Sequence, residues 1–163
     1  MVKNRLPLAI LKDNVHRMTK KSKEAIGIDI GGLRIKYVRL RDGKFERFDV
    51  IDLQEMDRSA DGMLSRLETL IDGEGADIPV GIGVPGIVRT SDRVIVKSPN
   101  FPSWDHLNLA KELEARIGRR VAIDNDANTF LRAECLLGAG QGHKDVLGLT
   151  LGTGLGGGVW FDG

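Results

Sequence analysis

Short apolar runs that end in turn-forming or polar residues constrain the fold of this 163-residue chain most strongly. Three such runs cover residues 25–30, 78–84 and 121–124. The residues that follow them are Gly31-Gly32, Pro85-Gly86 and Asn125-Asp126. Each run has the length and composition of a buried strand rather than a helix. Helical patterns lie between the later runs, and this alternation predicts an α/β fold with parallel strands and right-handed crossovers.

Three amphipathic helices are predicted from apolar residues at helical spacing. They cover residues 55–72, 107–117 and 127–137. Glycine is common just beyond the last residue of a helix. We therefore expect the helices to end at Asp72-Gly73, Gly118 and Gly138 respectively.

The other predicted strands make the sheet mixed. Residues 35–40 and 44–51 flank Asp42-Gly43, which is a strong hairpin signal, so the chain opens with three strands in antiparallel order. A small strand is predicted at residues 94–96. Two final strands, residues 146–151 and 157–161, flank a glycine-rich turn.

Composition excludes several classes of protein. The chain is 41% hydrophobic and 29% charged, enough to bury a core. No apolar run approaches the roughly 20 residues of a membrane-spanning helix. Cys135 is the one cysteine, which excludes a disulfide or a cysteine-based zinc site within one chain. We expect a cytoplasmic protein with no membrane partner.

The first 24 residues form a separate basic segment. They carry seven Lys or Arg residues and two acidic ones. Such a leader can indicate nucleic-acid binding or targeting, but it lacks a signal-peptide pattern and is too short for a helix-turn-helix domain. We expect residues 1–24 to be a basic N-terminal arm that binds no nucleic acid. Met18 is an alternative start, because the folded pattern begins just after it.

Two acidic residues are candidates for chemistry. Asp29 and Asp126 both fall at the carboxyl ends of predicted parallel strands, so both should lie at one edge of the sheet, where α/β folds bind ligands. One acid could orient a hydrated Mg²⁺ while the other takes a proton from an attacking hydroxyl. The alternative is that each carboxylate only caps a turn or a helix.

Two glycine-rich turns are candidates for phosphate binding, because such turns can present backbone N–H groups to an anion. The first is Gly31-Gly32, followed by the basic residues Arg34 and Lys36, which could instead be a solvated strand face. The second spans residues 152–158 and includes Thr153. An ordinary hairpin does not need so many glycines, and no Lys-Ser/Thr pair of a Walker A loop follows.

The remaining conspicuous side chains have simpler interpretations. Trp104 could stack on a sugar, but a tryptophan at such a place more often packs a loop onto the core. His106 and His143 have no partners at metal-ligand spacing, and we expect both at the surface.

Taken in order, these motifs resemble those of the ROK family of sugar kinases and their relatives. The matching stretches are Gly27-Ile28-Asp29-Ile30-Gly31-Gly32, Gly83-Val84-Pro85-Gly86, Ser98-Pro99-Asn100-Phe101-Pro102-Ser103-Trp104, Asn125-Asp126-Ala127-Asn128 with Ala133-Glu134, and the glycine-rich segment 152–158. The resemblance runs from about residue 25 to the last residue. It implies the actin-like ATPase/hexokinase (RNase H-like) fold, a mixed sheet with helices on both faces.

The resemblance also implies roles for individual residues. Asp126 resembles the catalytic base that takes the proton of a sugar 6-hydroxyl during transfer of the ATP γ-phosphate to a hexose such as glucose. Sugar-binding positions are Gly86, Asn100, Asn125 and Asp126. Asp29 resembles the acid that holds Mg²⁺ through water. Phosphate-binding positions are Asp29, Gly31, Gly32, Arg34, Lys36, Gly152, Thr153, Gly154, Gly156 and Gly157.

The sequence departs from the family pattern in two ways. Leu33 stands where the family usually has Thr or Ser, and we expect weaker nucleotide binding. The sequence also stops at Gly163, before the family's Glu-x-Gly-His segment, zinc cluster and adenosine-binding region. We therefore expect a partial kinase with a lobe at 25–138, a linker and first hairpin of an incomplete second lobe at 139–163, and no zinc site.

Two alternatives stay open beside a partial kinase. One is a non-catalytic sugar-binding or regulatory relative, although residues 1–24 are too short for the DNA-binding domain of a repressor. The other is a half-kinase that works with a partner chain, either a second copy in a homodimer or a separate C-terminal half.

Overall fold

The structure is a computed structural model that describes residues 24–42, 44–151 and 154–163. The predicted arm at residues 1–24 therefore lies outside the described residues except for Glu24, and so does Gly43 of the predicted hairpin turn. The strands are β1 (Glu24–Ile30), β2 (Arg34–Arg41), β3 (Lys44–Asp52), β4 (Val80–Val84), β5 (Ile87–Arg89), β6 (Val94–Lys97), β7 (Val121–Asn125), β8 (Val146–Leu151) and β9 (Leu155–Trp160). The helices are α1 (Ala60–Ile71), α2 (Leu109–Ile117) and α3 (Asp126–Leu137).

A five-stranded mixed sheet forms the centre of the fold, in the order β3-β2-β1-β4-β7. β1 pairs with β2 and β2 with β3 in antiparallel fashion. β4 is parallel to both β1 and β7. The predicted antiparallel opening and the predicted parallel strands are both confirmed, and the parallel strands bring their carboxyl ends to one edge.

Helices cover both faces of this sheet. Alternate side chains of β1, β4 and β7 share one core with α1 and α2. On the opposite face, α3 lies so close to β4 that a β-carbon added to Gly83 would be 2.8 Å from Oγ1 of Thr129. The lack of a side chain at Gly83 therefore sets how near the start of α3 comes to the sheet.

Two helix boundaries differ from the sequence prediction. α1 begins at Ala60 rather than at residue 55, because the Ser59 hydroxyl accepts the amide of Gly62 and caps the helix there. α2 begins at Leu109 with Asn108 as its cap. Its predicted end is confirmed, since Gly118 adopts a left-handed conformation with φ of 66°.

The strand prediction missed β5 and began β9 too late. β5 pairs with β6 and follows directly after Gly86. β9 begins at Leu155, so residues 156–158 lie within a strand and not in the preceding turn. Within the described residues, no helix is long and apolar enough to cross a membrane.

The hairpin of β8 and β9 packs on α3 partly through glycines, which have no side chain. A β-carbon added to Gly148 would lie 2.8 Å from Cδ1 of Leu131, and one added to Gly158 would lie 2.9 Å from Oδ1 of Asn128. The other face is apolar and exposed, and we call it the outer hairpin face. Its residues, with the adjoining Phe161, are Leu147, Leu149, Leu151, Leu155, Val159 and Phe161. α3 thus contacts both sheets, and the division at residues 138 and 139 stays a prediction.

Candidate active site

The carboxyl ends of β1, β4 and β7 bring together most of the predicted site residues. Asp29, Gly83 and Asp124 stand side by side in register across these three strands. Asp126 follows β7 as the first residue of α3. Because neighbouring strands lie about 4.8 Å apart, β1 and β7 are separated by roughly 10 Å. The edge therefore carries Asp29 at one strand and Asp126 just beyond the second strand over.

Asp126 is half-buried at the start of α3. Its Oδ1 accepts the amide of Ala127 at 2.8 Å and Nδ2 of Asn125 at 2.9 Å. Within the described residues no group donates to Oδ2, so that oxygen is available to a ligand. The amino end of a helix favours a negative charge. Asp126 does not cap α3, since the side chain of Asn125 accepts the Asn128 amide and does so instead.

Gly86 fixes the orientation of Asn125. The Gly86 carbonyl accepts Nδ2 of Asn125 at 2.8 Å. Gly86 has φ of 112°, and a β-carbon there would lie 2.1 Å from the Lys97 carbonyl oxygen. Only glycine fits this position. The Pro-Gly turn thus holds the amide that in turn contacts Asp126.

The loop that carries Asn100 is held from two sides. The buried Ser98 hydroxyl donates to the Pro85 carbonyl at 3.0 Å, and the Ser98 amide donates to Asp105 at 2.9 Å. The Lys97 ammonium, with help from the Ser98 amide, lowers the pKa of the Asp105 carboxyl. These contacts fix the loop next to Gly86, while Asn100 itself stays exposed.

Trp104 packs beneath this loop. It is fully buried and stacks on Phe101, with ring centroids 4.1 Å apart. This placement agrees with a packing role and leaves no ring face open to a sugar. His106 and His143 are exposed, as the sequence predicts.

The first glycine turn is a tight reversal between β1 and β2. The Gly31 amide donates to the Arg34 carbonyl at 2.8 Å and closes the turn. Nζ of Lys36 lies 2.9 Å from Oδ2 of Asp29, so the predicted phosphate contact and the predicted Mg²⁺ acid form an exposed ion pair. Leu33 is 55% exposed within the turn, and the Arg34 side chain is also at the surface.

Part of the second glycine turn lies outside the described residues, namely Gly152 and Thr153. Gly154 lies just before β9, and Gly156 and Gly157 lie inside it. A β-carbon on Gly156 would lie 2.5 Å from Oγ1 of Thr150 and 3.4 Å from Cβ of Ala127. Packing against β8 and α3 therefore accounts for Gly156, and the phosphate role of these glycines stays a prediction.

One buried acid escapes the sequence analysis. The Asp124 side chain accepts the Asn125 amide at 2.8 Å, Nδ2 of Asn128 at 3.2 Å and Nη2 of Arg132 at 3.1 Å. It thereby ties β7 to the first two turns of α3. The sequence signal for Asp124 was an acidic residue at the end of an apolar strand. Its partner Arg132 lies eight residues further along the chain, within a helix, and so was not apparent.

Asp29 is the acid predicted to hold a metal at this edge. In the part of the chain that the structure describes, no three His, Cys, Asp or Glu side chains come together to hold a metal. Mg²⁺ commonly uses one or two carboxylates, with waters and substrate phosphates completing its shell. The single exposed carboxylate of Asp29 fits that type of site once Lys36 moves aside.

The sequence model of the ROK family matches residues 25–163. The chain belongs to the ROK family. Its mixed sheet, with helices on both faces, is the actin-like ATPase fold of ROK sugar kinases, as predicted. The motifs at the sheet edge are therefore those of a family that includes sugar kinases with this fold.

Several relatives of this ROK chain are named as sugar kinases. A glucokinase of Thermotoga maritima is 39% identical over 137 residues, which are 82% of this chain and 43% of the relative. An N-acetyl-D-glucosamine kinase of Photobacterium profundum is 38% identical, covering 84% of this chain and 46% of the relative. A ROK glucokinase of Streptomyces griseus, solved with glucose and AMPPNP, aligns over 85% of this chain and 45% of its own, with a TM-score of 0.75 and 36% identity. The chain thus spans less than half the length of these relatives.

Proposed function

We propose that this chain carries the sugar and phosphate edge of an ATP-dependent hexose kinase, with Asp126 as the general base. The observation that carries the proposal is the half-buried Asp126 carboxylate, whose Oδ1 is fixed by Asn125 and Ala127 while Oδ2 is available. A general base must be held in place and still reach the proton that it takes. The glucokinase relatives and the neighbour with bound glucose and AMPPNP support the kinase part of the proposal.

In the proposed reaction, the hexose lies between the Asn100 loop and Asn125. Its 6-hydroxyl gives its proton to Oδ2 of Asp126 as the hydroxyl oxygen bonds to the γ-phosphorus of ATP. The bond from that phosphorus to the β,γ-bridging oxygen breaks, and ADP carries away the electron pair. Positioning and charge stabilisation supply most of the catalysis in such transfers.

The phosphates would lie along the first glycine turn. A Mg²⁺ held by Asp29 through water would neutralise charge that develops on the phosphate oxygens. Lys36 is paired with Asp29 at 2.9 Å, and its ammonium would be placed to contact the phosphates if a metal took its place at Asp29. A cytoplasmic setting, where ATP and sugars are at hand, is part of the proposal.

The test compares Asp126→Asn with Asp77→Asn, a control at an exposed turn before the far end of β4. Calorimetry measures glucose binding and a coupled assay measures ADP release. We expect Asp126→Asn to keep glucose binding and to lose about 10²- to 10⁴-fold in turnover, while the control matches the parent. Measurable turnover that is equal in the parent and in Asp126→Asn would contradict the role of the base.

A second candidate is a half-kinase whose site is active only when a second polypeptide completes it. The outer hairpin face favours it, because six large apolar side chains there are 58% to 88% exposed, and a continuous exposed apolar patch commonly marks an interaction surface. Lobe closure in kinases also needs two lobes. This candidate would be favoured over an enzyme that works alone if the chain binds glucose without turnover, and if turnover appears when the second half of a ROK glucokinase is added.

A further inference from the structure

Arg58, just before the cap of α1, joins two loops that the proposed site uses separately. Its Nη2 donates to the Gly32 carbonyl at 2.7 Å and to the Asn100 carbonyl at 3.4 Å. Its guanidinium carbon lies 4.8 Å from the centroid of the Phe101 ring. One side chain thus contacts the first glycine turn, the Asn100 backbone and the aromatic residue that follows.

The two loops also touch directly beside Arg58. A β-carbon added to Gly32 would lie 2.9 Å from Nδ2 of Asn100. The Arg58 carbonyl, for its part, accepts the Ser103 hydroxyl at 3.5 Å. The residue is therefore bound to the Asn100 loop through both its side chain and its backbone.

The chemistry of these contacts suits a link between loops. A guanidinium has a rigid planar set of donors, and its bonds to carbonyls are charge-assisted. Two backbone carbonyls from different segments share one nitrogen, so a shift of either segment weakens the contact. The cation also lies over an aromatic face, whose negative electrostatic potential attracts it.

We infer that Arg58 is a positioning residue that couples the sugar loop to the phosphate turn, so that hexose binding at Asn100 raises nucleotide affinity at Gly31-Gly32. This inference rests on the proposed function. When a hexose bound at Asn100 further restrains that loop, Arg58 holds Gly32 in one place. The nucleotide then has less of the turn left to order, which is a source of positive cooperativity.

The first experiment needs no ligand. Amide hydrogen exchange is compared in the parent, in Arg58→Met, and in Arg41→Met as a control at the far end of β2. We expect Arg58→Met to speed exchange at residues 31–33 and at residues 98–101 together, and the control to leave both unchanged. Unchanged exchange in both segments of Arg58→Met would overturn the inference.

The second experiment measures coupling on the full chain by calorimetry. Mg-AMPPNP is titrated with and without saturating glucose. Coupled sites differ by about 5- to 150-fold in affinity, and we expect glucose to tighten AMPPNP binding at least about 5-fold in the parent. In Arg58→Met the factor should fall to about 1, with intermediate coupling in Arg58→Lys, which keeps the charge but not the planar donor set.

The outcomes distinguish failure of this inference from failure of the proposed kinase function on which it rests. Full coupling retained in Arg58→Met overturns the inference and leaves the kinase proposal standing. Weaker AMPPNP binding by the same factor with and without glucose also overturns it, because Arg58 would then contact phosphate directly. Binding of neither ligand by the parent refutes the proposed function, and the coupling role fails with it.

Discussion

Gly83 gives the sharpest test of how the position of Asp126 is set. In Gly83→Ala the new β-carbon would lie 2.8 Å from Oγ1 of Thr129 and 3.5 Å from Cα of Asp126. β-Carbons in proteins essentially never approach other atoms as closely as 2.8 Å, so either the Thr129 side chain or the start of α3 must shift away from β4. Gly81→Ala is a matched control on the same strand and the same face, with no atom within 4 Å of the added carbon.

The expected cost follows from the difference between these two variants. Replacing Gly by Ala inside a strand should itself stabilise the fold by about 0.5–1 kcal/mol, and this gain is common to both. Overpacking costs about 1–3 kcal/mol and applies only at Gly83. Gly83→Ala should therefore unfold with a free energy about 1–3 kcal/mol lower than Gly81→Ala. At about 2–4 °C per kcal/mol for a chain of this size, its melting temperature should be roughly 2–12 °C lower.

Thermal unfolding and glucose calorimetry provide the measurements, with Gly83→Ala/Thr129→Ala as a third variant. Removing the Thr129 hydroxyl takes away the 2.8 Å contact, and the nearest remaining atom in contact is the Asp126 Cα at 3.5 Å. The double variant should recover most of the loss, although it gives up the bond from Thr129 to the Asp126 carbonyl. Equal melting temperatures for Gly83→Ala and Gly81→Ala would refute the reasoning.

Two further predictions concern the rest of the chain. Tyr37 is the one tyrosine, and burial, followed by its bond to Glu74, raises its pKa from 10.0 to about 12. The folded chain therefore holds this proton more tightly than the unfolded chain, and stability should fall as pH rises from about 10 to about 12. Chemical unfolding across that range measures the effect; Tyr37→Phe should flatten this step, and an identical slope in that variant would count against it. Leu149 on the outer hairpin face is 58% exposed, so Leu149→Lys should reduce self-association in sedimentation velocity without lowering the melting temperature; an unchanged distribution in a self-associating parent would argue against that surface.

Local signals predicted the central sheet well. The apolar runs that end at Gly31, Pro85 and Asn125 became β1, β4 and β7, because turn residues end a strand wherever it is packed. Their shared edge followed from parallel pairing alone. The predicted start of α1 was wrong because Met56 extends the helical spacing of apolar residues toward residue 55. The Ser59 side chain instead caps the helix and sets its start at Ala60.

Contacts between distant segments could not be predicted in the same way. The glycines near residue 156 suit close approach to a ligand or to neighbouring chain segments, and only the folded packing shows that Gly156 lies against Thr150 of β8 and Ala127 of α3. Asp124 is recognised as part of a partly buried ion pair only when Arg132 on the next helix is seen beside it. Arg58 looks like any exposed arginine until the loops at Gly32 and Asn100 come together around it.

The glycines that face α3 from both sides link the candidate base to the hairpin. One side meets Gly83 of the central sheet and the other meets Gly148 and Gly158 of the hairpin. These glycines let α3 lie close to both sheets, and Asp124 ties the first two turns of the helix to β7. A displacement of the hairpin would therefore press on the same helix whose first residue is Asp126, so the hairpin and the candidate base belong to one packed unit.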